Sequence, residues 1–409
     1  MSTPYGPGQH PTDPWGHPSA GQPYATTGAT AVRRRRRPGW LTVIISTVLA
    51  ALMAAGLTVG ATRALPTATD TPAITRVVQG DSANPDWTVT AAAAAPSVVS
   101  IQVSSGQGSA EGSGVVWDTS GRIVTNNHVV SALGEGATIQ VTLASGQLHS
   151  ATIIGTDVST DLAVIQLDDA PADLTPITLG DASTLKVGAP VMALGNPLGL
   201  SETVTTGIVS ALNRPVITQQ ESAQQGSPAQ QGLAASQQRA EQSVTSAIQT
   251  NAAINPGNSG GALVDANGAL IGITSSIATL GNGSGESGNI GIGFAIPVNE
   301  VESVATQLIN TGTAEHAWLG VATADARATS DTGTVIGAGI RTVSQGSPAS
   351  RAGLEEGDVI TAVDGRSING SRGLMALIRS YPTGHQLALT VNRNGVSREV
   401  TVDLGTAPA

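Results

Sequence analysis

Gly257-Asn258-Ser259-Gly260-Gly261 sets one serine among glycines, directly after the apolar approach Ala252-Ala253-Ile254. A serine hydroxyl attacks a carbonyl only when a base takes its proton, and the resulting oxyanion needs backbone N–H groups converging on one point. Glycine on both sides permits that backbone shape. The segment therefore asks for a histidine and a carboxylate elsewhere in the chain. Of six histidines, His10 and His17 fall in a Pro/Gly-rich tail, His316 and His385 lie far downstream, and His128 and His149 share the central region with Ser259. His128 comes after the short apolar run Arg122-Ile-Val-Thr125, where a ring can point into a cleft; His149 stands in a polar stretch after Gly146-Gln147 and reads as solvent-facing. Asp161 opens Asp161-Leu-Ala-Val-Ile-Gln-Leu167, at the mouth of a buried strand, where a carboxylate that orients a histidine belongs. Asp157, Asp168, Asp169 and Asp173 sit in more polar turns.

Taken singly, each residue has a plain explanation as loop, surface histidine or turn former. Together they run in the order His128, Asp161, Ser259, that of chymotrypsin-like proteases and not of subtilisin or the α/β-hydrolases. Thr125-Asn-Asn-His128-Val-Val130, Thr160-Asp161-Leu-Ala-Val164, Gly195-Asn-Pro-Leu-Gly199 and Ala253-Ile-Asn-Pro-Gly-Asn-Ser-Gly-Gly261 resemble the motifs of the HtrA family of serine proteases. The resemblance implies Ser259 as nucleophile, His128 as the base that takes and returns its proton, and Asp161 as the group that holds the imidazole tautomer. Oxyanion donors are expected at the N–H groups of Gly257 and Ser259, with that of Asn258 as a helper. Trypsin-like enzymes carry an aspartate at the Asn258 position that pairs with a newly cut N-terminus, so activation by cleavage is not expected. Ala253 replaces the acidic residue that selects Arg or Lys, and Ile273, Thr274 and Ser275 are expected as the neighbouring pocket wall, suited to small or medium aliphatic side chains. Two positions depart from the family pattern: Asn251, usually aspartate, and Ala262, usually proline.

Other chemistries fail on composition. The chain has no cysteine, hence no thiol nucleophile, and no His-Glu-x-x-His for a zinc protease. Its single lysine, Lys186, leaves little room for a Ser-Lys dyad. Gly283-x-Gly285-x-x-Gly288 fits a dinucleotide pattern, yet Ile290 to Ile296 beyond it reads as a strand rather than a helix, so no nucleotide site is expected. Neither metal nor cofactor is called for. A net charge of −10 argues against nucleic acid as a partner.

Short apolar runs punctuated by turns such as Asp118-Thr-Ser-Gly121 read as all-β. The family implies a chymotrypsin-like double β-barrel for residues 91–312, succeeded by a PDZ domain over 313–409. Within the first, 219–242 is a Gln/Ala/Ser-rich insertion expected to stay mobile. Asn299 to Asn310 reads as a helix, with Asn299 and Glu302 as a capping-box-like start and Gly312 as its stop. In the second, Trp318-Leu319-Gly320-Val321 corresponds to a loop whose N–H groups hold a peptide carboxylate while the peptide adds a strand. Leu374, Leu377 and Ile378 recur at helical spacing, as core or groove lining.

Ahead of these domains, 1–38 reads as a disordered tail and 63–90 as a linker, flanking an apolar stretch within 39–62. As a helix, Leu41 to Thr62 would reach about 33 Å, enough for a hydrocarbon core of about 30 Å. Arg33 to Arg37 on one side predict a cytoplasmic N-terminus and an extracytoplasmic protease–PDZ part. The expectation is a single-pass, ATP-independent endopeptidase acting on unfolded or damaged proteins and binding peptide C-termini; the rival is a PDZ-bearing chaperone or scaffold with a latent site. The resemblance brings a homotrimer as one assembly, and a single phenylalanine in the chain leaves the oligomeric state open.

Overall fold

The computed structural model describes residues 84–106, 108–134, 136–197, 203–219, 242–255, 257–275, 291–330 and 333–408. The expected tail, membrane helix and most of the linker lie outside them, as do residues 220–241 of the insertion and the glycine pattern 283–288. Among the described residues no helix is long and apolar enough to cross a membrane.

Helix α1 (Trp87–Ala94) begins inside the segment expected as linker, so that linker ends before residue 90. Asp86 sets the start by accepting the N–H groups of Thr88 and Val89, which have no carbonyl of their own at a helix N-terminus. Thr90 then anchors the helix to the body through a 2.9 Å bond from Oγ1 to Ala266 O.

Six strands come next, β1 (Val98–Ser105), β2 (Gly108–Val116), β3 (Arg122–Asn126), β4 (Thr138–Thr142), β5 (Leu148–Asp157) and β6 (Leu162–Leu167). They close into an antiparallel barrel in the order β1-β2-β3-β6-β5-β4. A second barrel is built from β7 (Pro190–Gly195), β8 (Thr203–Gln219), β9 (Gln242–Thr250), β10 (Ala262–Val264), β11 (Leu270–Ser275) and β12 (Gly293–Pro297), in the order β10-β11-β12-β9-β8-β7. Both barrels have apolar interiors, Val99, Ile101 and Ile165 in the first, Val191, Ile248 and Ile271 in the second. A third cluster joins them: Val124, Leu162 and Val164 meet Leu194, Val264 and Ile273, roofed by Val301, Ala305 and Leu308. The last three come from helix α3 (Val298–Thr311), whose apolar face the sequence pattern anticipates. Its stop also agrees with expectation, with Gly312 left-handed at φ 77° and its N–H on Leu308 O at 2.9 Å. Its start does not. Pro297 is the N-cap and makes no side-chain cap bond, while Asn299 turns outward to accept Ala182 N–H at 2.9 Å.

After α3 the chain builds a separate core. β13 (Ala317–Trp318) pairs with β20 (Gly405–Thr406). A sheet runs β14 (Val321–Ser330), β15 (Gly333–Val343), β16 (Val359–Val363), β18 (Gln386–Arg393), β19 (Val396–Asp403), with β17 (Arg366–Ser367) beside β16. Helices α4 (Pro348–Arg351) and α5 (Ser371–Ser380) complete it. Leu374, Leu377 and Ile378 of α5 are buried in this core.

Candidate active site

β3 ends at Asn126 and passes directly into the short helix α2 (Asn127–Ser131), so the chain turns at the barrel rim and carries His128 with it. Asp161 meets it from the turn between β5 and β6. Its carboxylate grips the histidine twice, taking the His128 backbone N–H on Oδ1 at 3.0 Å and the ring Nδ1 on Oδ2 at 2.8 Å. With Nδ1 held, proton traffic falls to Nε2. The Asp161 side chain is 4% exposed and that of His128 30%, so the carboxylate is shielded while the ring reaches open space. Asp161 adopts φ 60°, a left-handed conformation that aspartate tolerates better than most residues. Its carbonyl is held by Asn126 Nδ2 at 2.9 Å and Asn127 N–H at 3.0 Å. His149 sits elsewhere, on β5 opposite Val141.

Ser259 belongs to the loop before β10 and is 4% exposed. Gly260 must be glycine: its φ is 84°, and a Cβ there would land on Ser113 O and Thr125 Oγ1. Gly257 is likewise left-handed at φ 94°, and a Cβ would lie 2.7 Å from the Pro197 ring. From behind, Thr274 fixes the loop. Its Oγ1 donates to Asn258 O at 2.6 Å, its carbonyl accepts Gly260 N–H at 2.8 Å, and its N–H reaches Gly261 O at 2.9 Å.

Ser113 of β2, which sequence reasoning missed, ties this loop to the other barrel. Its N–H donates to Ser259 O at 2.8 Å and its Oγ to Gly257 O at 2.7 Å, while Oγ accepts Asn196 N–H at 2.9 Å. Its carbonyl takes the Thr125 hydroxyl at 2.7 Å, just ahead of His128 in the chain. The neighbouring Gly112 lies against both Val129 and Ser259 O. β2 thus brings the His128 and Ser259 segments together. The only sequence signal was the run Gly112-Ser113-Gly114 just ahead of Val115 and Val116, small residues where two backbones approach closely.

Three expectations change. The Asn258 N–H donates to Asn255 O at 3.0 Å and is occupied as an oxyanion donor. Ile273 and Thr274 are fully buried, one in the shared core and one behind the loop, so neither side chain forms a pocket wall. Ser275 Oγ points at Asp161 Oδ2, 3.4 Å away, and serves the carboxylate instead. β11 does adjoin the site, but alternation along it sends Ile273 into the shared core and Thr274 to the opposite face, behind the loop. Ala253 is half-buried, its carbonyl taken by Thr205 Oγ1 at 2.8 Å, and keeps a place beside the loop. Asn251, the departure from aspartate, accepts Ile208 N–H at 2.7 Å, a role the amide oxygen fills as a carboxylate would.

In the C-terminal domain, Trp318 to Val321 links β13 to β14. The carbonyls of Leu319 and Gly320 accept the N–H groups of Ala349 and Ser344, both at 2.9 Å, and Gly320 has φ 85°. β14 pairs only with β15, leaving its other edge open beside α5. That opening is clasped at one end, where Thr323 Oγ1 meets Ser371 Oγ at 2.6 Å and Asp325 Oδ1 takes Ser371 N–H at 2.8 Å. Among the described residues no cluster of side chains suits a metal ion.

Comparison with known proteins agrees with this arrangement. Family profiles described as trypsin-like peptidase domain and PDZ domain match residues 112–273 and 317–404. Serine protease PepD of Mycobacterium tuberculosis is 45% identical over 326 residues, covering 78% of this chain and 65% of that protein. The periplasmic serine endoprotease DegP of Escherichia coli is 38% identical over 298 residues, 72% of this chain and 56% of DegP. The chain thus spans a little under two thirds of the one and just over half of the other. A solved structure of the HtrA-type protease AlgW with a tripeptide superposes with a TM-score of 0.55 at 34% identity, covering 80% of this chain and 98% of that one.

Proposed function

Because the chain belongs to the HtrA family of serine proteases, we propose that it is a serine endopeptidase that cleaves unfolded or damaged proteins outside the cytoplasmic membrane. The observation that carries this reading is the buried Asp161 carboxylate holding His128 by both backbone and ring, beside a serine loop pinned across the barrel junction by Ser113.

Ser259 Oγ attacks the scissile carbonyl as His128 Nε2 takes its proton. The same nitrogen returns that proton to the leaving amine, and water then repeats the sequence on the acyl-enzyme. Asp161 keeps the ring in the tautomer with Nδ1 protonated and stabilises the imidazolium. Gly257 N–H, for which no acceptor is found among the described residues, and Ser259 N–H receive the oxyanion. Losing one such donor costs about 3 kcal/mol of transition-state stabilisation. The cycle needs water and these groups alone, hence no ATP. Ala253 leaves the specificity pocket without an acid, favouring small or medium aliphatic residues at the cleaved position. Peptide C-termini join the open edge of β14, their carboxylates meeting the Trp318–Val321 loop. An uncleaved helix within 39–62 tethers the enzyme with its N-terminus in the cytoplasm, and the protease domains assemble as a homotrimer.

Casein cleavage by the complete chain, beside its Ser259→Ala variant, tests this. The variant is expected to lose at least about 1,000-fold in kcat. Equal turnover by both proteins would sink the assignment, and a folded but inactive parent that still suppresses aggregation would favour the chaperone reading.

A further inference from the structure

Asp161 is presented by a tight turn that starts four residues earlier, at Asp157. The Asp157 carboxylate organises that turn: Oδ1 accepts Ser159 N–H at 3.1 Å and Oδ2 accepts the Thr160 hydroxyl in a short bond. Thr160 is fully buried and Asp157 nearly so. The turn itself contributes only a long 3.4 Å bond from Asp161 N–H to Val158 O, so the left-handed Asp161 depends on side-chain support from Asp157. The other face of Asp157 leaves the barrel. His316 Nε2, in the connector between α3 and β13, donates to Oδ1 at 2.9 Å, with both side chains largely buried. His316 O in turn takes Ala407 N–H at 2.9 Å, from the last described stretch of the PDZ domain. Two further titratable groups lie within electrostatic reach of Asp157 from the elements packed there, Glu300 of α3 and Arg379 of α5.

We propose that Asp157 is a positioning residue for the catalytic carboxylate and that His316, from the connector beyond α3, in turn positions Asp157. The inference rests on Asp161 being the third member of the triad. Asp157 fixes Ser159 and Thr160, and these fix the φ and carboxylate direction of Asp161. A shift of the connector that withdraws His316 frees one oxygen of Asp157, and the turn relaxes. Movement of the ring by a fraction of an ångström lowers the fraction of encounters in which Nε2 can take the Ser259 proton. The turn acts through Asp161 on the His128 ring, so the effect is expected on kcat.

The test measures kcat and KM on an unfolded protein substrate, together with melting temperature, for the complete chain and its Asp157→Asn, His316→Ala, His316→Gln and Asp161→Asn variants. His316→Ala and Asp157→Asn should each lower kcat by about 10- to 100-fold, the scale of a catalytic group misplaced from a distance, with KM nearly unchanged. His316→Gln, which keeps an N–H donor at a similar reach, should recover most of the loss. Unchanged kcat in His316→Ala and Asp157→Asn, with Asp161→Asn inactive, overturns the proposal and leaves the triad intact. Full activity of Asp161→Asn overturns the triad reading instead. Should Asp157→Asn fail to fold, the His316 pair decides: equal loss in Ala and Gln variants, tracking melting temperature, means a structural role only and refutes the coupling.

Discussion

The two junctions of this molecule are made of opposite materials. Between the barrels, Val124, Leu162, Leu194, Val264 and Ile273 interlock under α3 with almost no solvent access. Between the barrels and the PDZ domain, a cleft of about 400 Å³ is lined by Leu212, Ile248, Glu300 and Tyr381, and Asp157, His316, Glu300 and Arg379 gather nearby. Burial pushes the Glu300 carboxyl up to about 8, with the Asp157 charge adding to the effect. Burial also pulls the Arg379 guanidinium below its ordinary value, opposed by the two carboxylates. Neither Glu300 oxygen nor Arg379 Nη1 has a hydrogen-bond partner among the described residues. Dispersion and apolar burial do not titrate and fall off steeply with any gap. Charges in a poorly solvated place respond to pH and to small displacements. The first junction therefore suits a triad whose members come from both barrels, and the second suits adjustment.

Breaking the apolar junction should cost most. Leu194→Ala is expected to destabilise the protein by about 2–5 kcal/mol, read from denaturant unfolding, with loss of proteolysis in parallel. A cost under about 1 kcal/mol would mean that the two barrels are held by something else.

Glu300→Gln sharpens the contrast. In the unfolded chain this carboxyl loses its proton near pH 4.5, and in the folded chain near 8. Between those values the folded state holds the extra proton, so the group's contribution to stability is complete below about 4.5 and declines until about 8. Glutamine removes that decline. The variant should match the parent in acid and exceed it by an amount that grows with pH, on the order of a few kcal/mol at most. Melting curves between about pH 5 and about pH 8 check this; a constant difference would place the titration elsewhere.

The smallest effect is expected inside the PDZ domain. Thr323→Ala removes the clasp to Ser371, a bond worth about 1 kcal/mol net. Fluorescence anisotropy with a labelled peptide bearing a free carboxylate should then show binding tightened by up to about five-fold. Unaltered affinity would mean that the clasp stands clear of the peptide path.

Much of this is legible along the chain, and the failures are local. Ser259, His128 and Asp161 can be singled out because each sits in a short, unusual context, a glycine loop, a strand end and a strand mouth. The helix after the second barrel is visible in the spacing of Val301, Val304, Ala305 and Leu308, but its cap is not, because Asn299 has a better partner in Ala182 N–H, far away in sequence. Ser113 is invisible, since a serine in a strand carries no mark of the carbonyl it will meet. Ile273 and Thr274 face opposite sides of β11, one into the shared core and one onto the serine loop, and alternation fixes only their relative facing, not what each side meets. The tail, the apolar stretch within 39–62 and residues 220–241 lie outside the described structure, so their reading rests on sequence alone.

By itself, then, the sequence determined the reactive groups, the glycines that only one backbone shape can use, and the apolar periodicities that commit segments to barrels or helix. These are properties of a residue and its near neighbours. Only the tertiary structure decided that the Asn258 N–H is taken by Asn255 O, which serine bridged the barrels, and that Asp157, His316, Glu300 and Arg379 would share one poorly solvated place. Those depend on interactions between residues far apart in the chain, such as the hydrogen bond from His316 to Asp157, and the free energy of such interactions exists only once folding has removed the water between them.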